Sequence, residues 1–283
     1  MAKYVPRVFS QLHTTKPLPT HAYLLLLQIQ VASGTPGRVL HLLEQQLLPA
    51  SDIITVVLDE ADVLLSMGFT EAVYDIFQLL PSEVQVVVVS ATMPPEAVAM
   101  TAKILRNPTR ILLAPDELTL DGLHAYYVQC GRRDYKYSVL CDLFEALSVS
   151  QSIIFVNRKH SAVQLAEQLE QDDFTVALIH GELEQSEREQ VLDGFRAGAS
   201  RVLVATDIVA RGLDVQQVSL VVNYDMPSLD NYIHRVGRAG RFGRKGAAIN
   251  LIDDMDVRQK DAVERHYALL MDELPQDVAS ILK

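Results

Sequence analysis

Short runs of β-branched and aliphatic residues recur along the chain: QIQVAS, DIITVVL, VQVVVVS and TRILL in the first half, then QSIIFVN, FTVALIH, RVLVAT, VSLVVN and AAINLI. Apolar runs of this length, bounded by turn-forming residues, predict strands buried on both faces. Between most of them lie stretches such as VLHLLEQQL, EAVAMTAKILR, SAVQLAEQLEQ and SEREQVLDGFRAG, whose apolar residues recur three and four positions apart. That spacing predicts amphipathic helices. Strand and helix in alternation predict an α/β fold with parallel sheets covered on both faces.

Helix starts agree with this layout. Thr35 before Pro36 reads as an N-cap with proline at the first helical position, and Ser161 and Ser186 are weaker candidate starts. The segment LAPDELTLDGLHAYY has no clean period, contains Pro115 and carries two acidic clusters. Residues 113–123 are therefore expected to link two domains, residues 1–112 and 124–283. A chain of 283 residues suits two domains of ordinary size. No short repeat or low-complexity tract is present, although the two halves share the same strand–helix rhythm.

Composition narrows the function. Hydrophobic residues make up 49% and charged residues 22%, the balance of a folded globular protein rather than a disordered one. The net charge of −11 excludes a protein that coats nucleic acid or anionic membrane through its overall charge. Any such binding requires a local basic surface. Cys130 and Cys141 have no metal-site spacing and read as reduced thiols of an intracellular chain. The run AYLLLLQIQVA is well short of the ~20 apolar residues that span a bilayer and lacks a signal-peptide cleavage pattern, so no membrane partner is expected.

Two charged features carry candidate chemistry. In VVLDEADVLL, Asp59, Glu60 and Asp62 follow an apolar strand. Ligands of open parallel sheets bind beyond the carboxyl ends of strands. Asp-Glu at such an end suits a Mg²⁺-holding carboxylate beside one that orients or deprotonates water. The same acids also suit the positive end of the helix that follows. In YIHRVGRAGRFGRKG, Arg235, Arg238, Arg241 and Arg244 alternate with glycines and no acid interrupts them. That glycine density opposes a continuous helix, so a short helix at NYIHR is expected to end in a sharp turn. Guanidinium groups on such a turn suit phosphate oxygens, or a solvated basic loop. SGTPGR and VATDIVARGLD set Thr, Gly and Arg beside strand ends, where hydroxyls and bare backbone N–H groups can contact a sugar-phosphate chain. Ser90 and Thr92 of the tripeptide SAT close another strand.

Taken in order, TPGR, DEAD at residues 59–62, SAT, IIFVN, HGE followed by QSER, ATDIVARGLD and YIHRVGRAGR make the chain resemble a DEAD-box RNA helicase. Within that family it resembles most the translation initiation factor 4A group and its exon-junction relative. DELTLDGL, VLCDLFEAL, DVQQVSLVVNYDMP, GRFGRKGAAIN and DELPQDVASIL carry that likeness, from about residue 28 to the end. The resemblance implies two RecA-like parallel-sheet domains, the first incomplete, and an ATP-dependent RNA helicase whose RNA-stimulated ATP hydrolysis drives local duplex unwinding.

Residue by residue, the resemblance implies that Asp59 holds Mg²⁺, Glu60 activates water, and Arg238 and Arg241 face the γ-phosphate of ATP. Asp214 lies near the ribose. Thr35, Gly37, Arg38, Gly181, Arg188, Thr206 and Gly212 correspond to contacts with the RNA backbone. Asp62, Ser90, Thr92, His234 and Arg235 couple the two domains. The implied partners are RNA, bound without regard to sequence, and scaffold proteins of translation initiation or the exon junction. The implied protein is a monomer of the cytoplasm or nucleus. The chain departs from the family in several respects: it contains no Gly-x-x-x-x-Gly-Lys-Ser/Thr loop, no adenine-recognising glutamine motif and no PTREL-type RNA-contact motif, only 58 residues precede Asp59, and Val63, Met67 and Arg158 differ from the family's usual residues. Truncation at the N-terminus is the corresponding expectation. An ATPase-silent fragment that binds RNA or protein partners is the alternative to a working helicase.

Overall fold

The computed structural model describes residues 8–9, 30–112, 123–147, 151–207, 218–239, 246–278 and 281. Contacts divide the chain into two compact units, Met1–Arg110 and Ile111–Lys283.

In the first unit, β1 (Val8–Phe9) pairs in parallel with β2 (Val31–Ala32). Helix α1 (Pro36–Glu44) follows, with Thr35 at its N-cap in extended geometry and Pro36 in its first turn. The backbone there matches expectation, but the Thr35 side chain makes no capping bond. Strand β3 (Thr55–Leu58) pairs in parallel with β4 (Gln85–Val88), Thr55 opposite Gln85 and Leu58 opposite Val88. Helices α2 (Ala61–Ser66) and α3 (Thr70–Leu79) connect them, and α4 (Pro95–Ile104) follows β4.

Side chains alternate across these strands. Val56, Val86 and Val88 pack against Leu43, Ile76, Val73 and Met100 from the helices. Val57 and Val89 point the other way and are 58% and 51% exposed. The run TRILL does not form the expected strand in its described residues, 109–112. Ile111 and Leu112 are 88% and 65% exposed, so no packing offsets the cost of ordering them as a strand.

The second unit is built on one parallel sheet in the order β11-β5-β10-β9-β6-β8-β7. Its strands are β5 (Leu123–Gly131), β6 (Ser152–Phe155), β7 (Val176–Ile179), β8 (Val202–Ala205), β9 (Leu220–Asn223), β10 (Gly246–Asp253) and β11 (Asp272–Glu273). Its helices are α5 (Lys136–Ala146), α6 (Lys159–Gln171), α7 (Gln185–Arg196), α8 (Leu229–Val236) and α9 (Val257–Tyr267). Every residue of β6, β8, β9 and β10 is buried, as uninterrupted apolar runs require. Ile154, Val204, Val222 and Ile249 face α5 and α6, through Leu140, Leu143, Leu165 and Leu169. Ile153, Phe155, Leu203 and Val221 face Phe195 of α7.

Strand β5 has no counterpart in the sequence pattern. Its Leu-His-Ala-Tyr-Tyr-Val-Gln-Cys-Gly composition mixes aromatic and polar residues, and it becomes a strand by pairing with β10 on one side and β11 on the other. Helices α6 and α7 begin two residues or less before the expected serines. α7 is capped instead by Glu184, which shares a reciprocal capping box with Glu187, the Glu184 N–H donating to Glu187 Oε2 at 2.8 Å. Helix α8 ends at Gly237 as the Arg-Gly segment predicts. An added Cβ there would lie 2.9 Å from the Ile233 carbonyl oxygen.

Candidate functional site

In the first unit the expected residues follow the carboxyl ends of β2, β3 and β4 along the chain, and those after β3 and β4 are brought together. Asp59 is the first residue after β3 and is exposed. Its Oδ1 accepts the Glu60 N–H at 2.9 Å. Glu60 forms the N-cap of α2 in the left-handed region, φ 50°, ψ 50°, which costs a non-glycine residue roughly 1–2 kcal/mol. Strain of this kind persists only where neighbouring contacts enforce it.

The enforcing contacts belong to Asp62, which is only 6% exposed. Its Oδ1 accepts from Ser90 Oγ at 2.8 Å and its Oδ2 from Thr92 Oγ1 at 2.7 Å. The Asp62 N–H donates back to Ser90 Oγ at 3.1 Å. The ladder itself continues past the strand ends, Val89 N–H to Leu58 O at 2.8 Å and Ala61 N–H to Val89 O at 3.2 Å. The acidic turn after β3 is thus bolted to the segment after β4. Asp62 is fully engaged and unavailable to a cation, whereas Asp59 is exposed.

Thr35, Gly37 and Arg38 lie together at the start of α1. A Cβ at Gly37 would meet nothing within 4 Å, so the backbone there is open to a ligand. Arg38 is half-buried, and its Nε is buried without a hydrogen-bond partner among the described residues.

In the second unit Gly181 follows β7, Arg188 lies on α7 and Thr206 follows β8. A terminal nitrogen of Arg188 donates to the Gly181 carbonyl, while its Nε is buried without a partner among the described residues. Thr206 is buried, with its N–H donating to Ile179 O at 3.3 Å. Helix α8 carries His234, Arg235 and, just past its end, Arg238, all buried. Arg238 Nε donates to the His234 carbonyl at 3.0 Å. Gly212, Asp214 and Arg241 lie outside the described residues.

Sequence reasoning missed two charged clusters in this unit. The first surrounds Arg235. Its Nε and one terminal nitrogen grip Asp207 at 2.5 and 2.8 Å, that nitrogen also reaches Asn157 Oδ1 at 2.6 Å, and the other terminal nitrogen reaches Asp225 O at 2.8 Å and Asn223 Oδ1 at 3.3 Å. The guanidinium also lies over the Phe155 ring, 5.3 Å from its centroid. In the second cluster Lys136 is fully buried, its Nζ 2.5 Å from Asp256 Oδ2, 3.4 Å from Asp253 Oδ2 and 3.0 Å from the Tyr224 carbonyl. Burial works to raise the Asp253 pKa. N–H donation from Met255 and Asp256 and the Lys136 charge outweigh it and hold the group below the ordinary carboxylate value. The available signal was the polar residues ending or interrupting apolar runs: Asn157, Asp207, Asn223 and Asn250.

Comparison with known proteins places this geometry. Residues 4–101 match the DEAD/DEAH box helicase family, and residues 135–243 match the helicase conserved C-terminal domain. The structure of S. cerevisiae Dbp5 bound to RNA and ADP BeF3 superposes with a TM-score of 0.84, at 33% identity, over 98% of this chain and 73% of that one. The chain belongs to the DEAD-box RNA helicase family. Its two units are RecA-like domains.

This DEAD-box chain is 48% identical over 255 residues to eukaryotic initiation factor 4A of Dictyostelium discoideum, and 50% identical over 255 residues to eukaryotic initiation factor 4A-3 of Arabidopsis thaliana. Each match covers 90% of this chain; the chain spans 63% and 62% of the length of those relatives. Among the described residues no helix is long and apolar enough to cross a membrane.

Proposed function

We propose that the protein acts on RNA as an ATP-dependent helicase of the DEAD-box class, its RNA-stimulated ATP hydrolysis coupled to local strand separation. The observation that carries this reading is the locked acidic turn, in which Asp62, held by Ser90 and Thr92, fixes Asp59 and Glu60 at the end of β3.

The donor set at that turn fits Mg²⁺. Among the described residues no group of three or more His, Cys, Asp or Glu side chains forms a metal cage. Mg²⁺ asks for less, being held by one or two carboxylates together with waters and substrate phosphates. Asp59 is the residue that would hold it, and the bound ion would neutralise charge on the phosphate oxygens during transfer. Glu60 orients a water and takes its proton. Arg238 and Arg241 supply positive charge where negative charge develops on the transferred group, and Asp214 contacts the ribose. Asp62, Ser90, Thr92 and His234 relay between the two units. The Gly-Lys-Ser/Thr loop that would hold the β- and γ-phosphates is not among these 283 residues.

RNA recognition rests on Thr35, Gly37, Arg38, Gly181, Arg188, Thr206 and Gly212. Hydroxyls, open backbone and arginines of this kind bind the sugar-phosphate chain and leave base identity unread. The unpartnered Nε atoms of Arg38 and Arg188 support the assignment, since a phosphate oxygen would supply the acceptor each one lacks. A few such local contacts explain how a chain of net charge −11 holds RNA. Such a protein works as a monomer inside the cell, in cytoplasm or nucleus, alongside scaffold proteins of translation initiation or the exon junction.

The alternative is a chain that binds RNA or the helicase's protein partners without turnover. ATP hydrolysis by the purified protein, with and without single-stranded RNA, separates the two. RNA-stimulated turnover abolished by Glu60→Gln is expected of the first reading. Absence of turnover, with salt-sensitive RNA binding retained, would establish the second.

A further inference from the structure

The centre of the second sheet carries amides where aliphatic side chains would pack. Asn223 ends β9 and Asn250 lies within β10 directly opposite it, both with 0% exposure. A buried amide is costly unless each of its polar atoms is bonded. These are bonded in series. Asn250 Nδ2 donates to Tyr126 O at 2.8 Å, Asn250 Oδ1 accepts from Asn223 Nδ2 at 2.8 Å, and Asn223 Oδ1 accepts from Arg235.

Asn157 is equally committed. Its Oδ1 accepts from Arg235, its Nδ2 donates to Met226 O at 2.9 Å, and its backbone N–H donates to Asp225 Oδ2 at 3.0 Å. Asp225 in turn pairs through Oδ1 with Arg133 at 2.9 Å.

We propose that Asn157, Asp207 and Asn223 are positioning residues that clamp Arg235, and with it helix α8, onto the ends of three strands, so that Arg238 is presented at a fixed place. Each acceptor comes from a different strand end: Asn157 after β6, Asp207 after β8 and Asn223 on β9. Only the planar five-donor fork of arginine can address all of them at once; an ammonium at 235 could not. Arg238 sits on the turn just past α8 and is tied to it through the His234 carbonyl, so fixing the helix fixes that side chain. The clamp gives Arg235 a role inside the second unit rather than the cross-unit contact that family resemblance implies. Its consequence for catalysis rests on the proposed role of Arg238.

Hydrogen exchange on the full chain tests the clamp. In Asn157→Ala and Asn223→Ala, amides of residues 229–239 are expected to exchange at least about tenfold faster, the equivalent of one lost hydrogen bond to a charged group, while β8 and β10 amides keep the parental rate. Asn223→Asp keeps an oxygen that accepts from Arg235 but sets a second acceptor against Asn250 Oδ1, so it is expected to restore protection of α8 in part. Unchanged exchange in α8, or a uniform rise across the whole sheet, would overturn the proposal, the second by reducing the asparagines to general core stabilisers. In the same variants kcat for RNA-stimulated ATP hydrolysis is expected to fall with RNA affinity retained. A parent chain without turnover counts against the proposed activity alone, and the exchange data still decide the clamp.

Discussion

The Thr92 hydroxyl donates to Asp62 Oδ2 at 2.7 Å, joining two turns 30 residues apart. With the matching Ser90 bond it is the side-chain link between the ends of β3 and β4. Thr92→Val keeps the shape and leaves a buried carboxylate oxygen short of a donor. The expected loss is about 1–3 kcal/mol from the first unit's unfolding free energy, read as an earlier urea transition by circular dichroism. Ser90→Ala should cost a similar amount, and the double variant less than the sum, because both hydroxyls serve one carboxylate.

Glu60 offers the opposite trade. Its left-handed backbone is unfavourable for a glutamate, as for most residues other than glycine, and the locked turn maintains it. Glu60→Gly is expected to stabilise the first unit by up to about 1 kcal/mol, since relief of strain exceeds the added entropy of the unfolded chain. The same substitution removes the carboxylate proposed to activate water, so any ATP turnover should vanish. A variant both more stable and inactive would mark position 60 as chosen for chemistry, whereas lowered stability would show that the turn carries no strain.

Much of this architecture was legible because buried parallel strands advertise themselves as unbroken apolar runs, as in SIIF of β6 and VLVA of β8. The carboxylates after β3 and the hydroxyls after β4 were legible for a related reason, since polar residues directly behind such runs fall at strand ends. Strand β5 was not legible, because pairing with its neighbours, rather than composition, makes it a strand. TRILL misled in the other direction, being apolar enough for a strand without neighbours to pack against. Arg235 was recognised as phosphate-like chemistry from its Arg-Gly setting. Its acceptors are dispersed across 157, 207 and 223, and only the fold brings them within reach.

Asp253, held ionised by the Met255 N–H and by the buried Lys136, makes the second unit sensitive to acid. Asp253 titrates below its ordinary value of 3.8, so its ionised form adds stability above that value and loses it as pH falls through the lower folded value. Lys136→Met leaves Asp253 and Asp256 without their cation and is expected to cost about 3–5 kcal/mol at neutral pH. As pH falls through that lower folded value Asp253 becomes neutral, and the difference between parent and variant should shrink. Urea midpoints measured on both sides of that value check this; a constant difference would mean that Lys136 acts through its methylene packing rather than its charge.

Arg188 and Thr206 make the RNA assignment testable through salt. Both are proposed to contact the RNA backbone, but only Arg188 carries a charge that displaces a condensed counterion. Arg188→Ala should therefore weaken single-stranded RNA binding and reduce the slope of log affinity against log salt by about 0.7. Thr206→Val should weaken binding with the slope unchanged, because a neutral hydroxyl releases no ion. Arg188→Lys restores the charge and hence the slope, but not the full affinity, since an ammonium cannot both hold the Gly181 carbonyl and reach phosphate through Nε. Titrations of a fluorescent oligoribonucleotide at several salt concentrations read all three. Equal slopes for Arg188→Ala and the parent would remove Arg188 from the RNA surface.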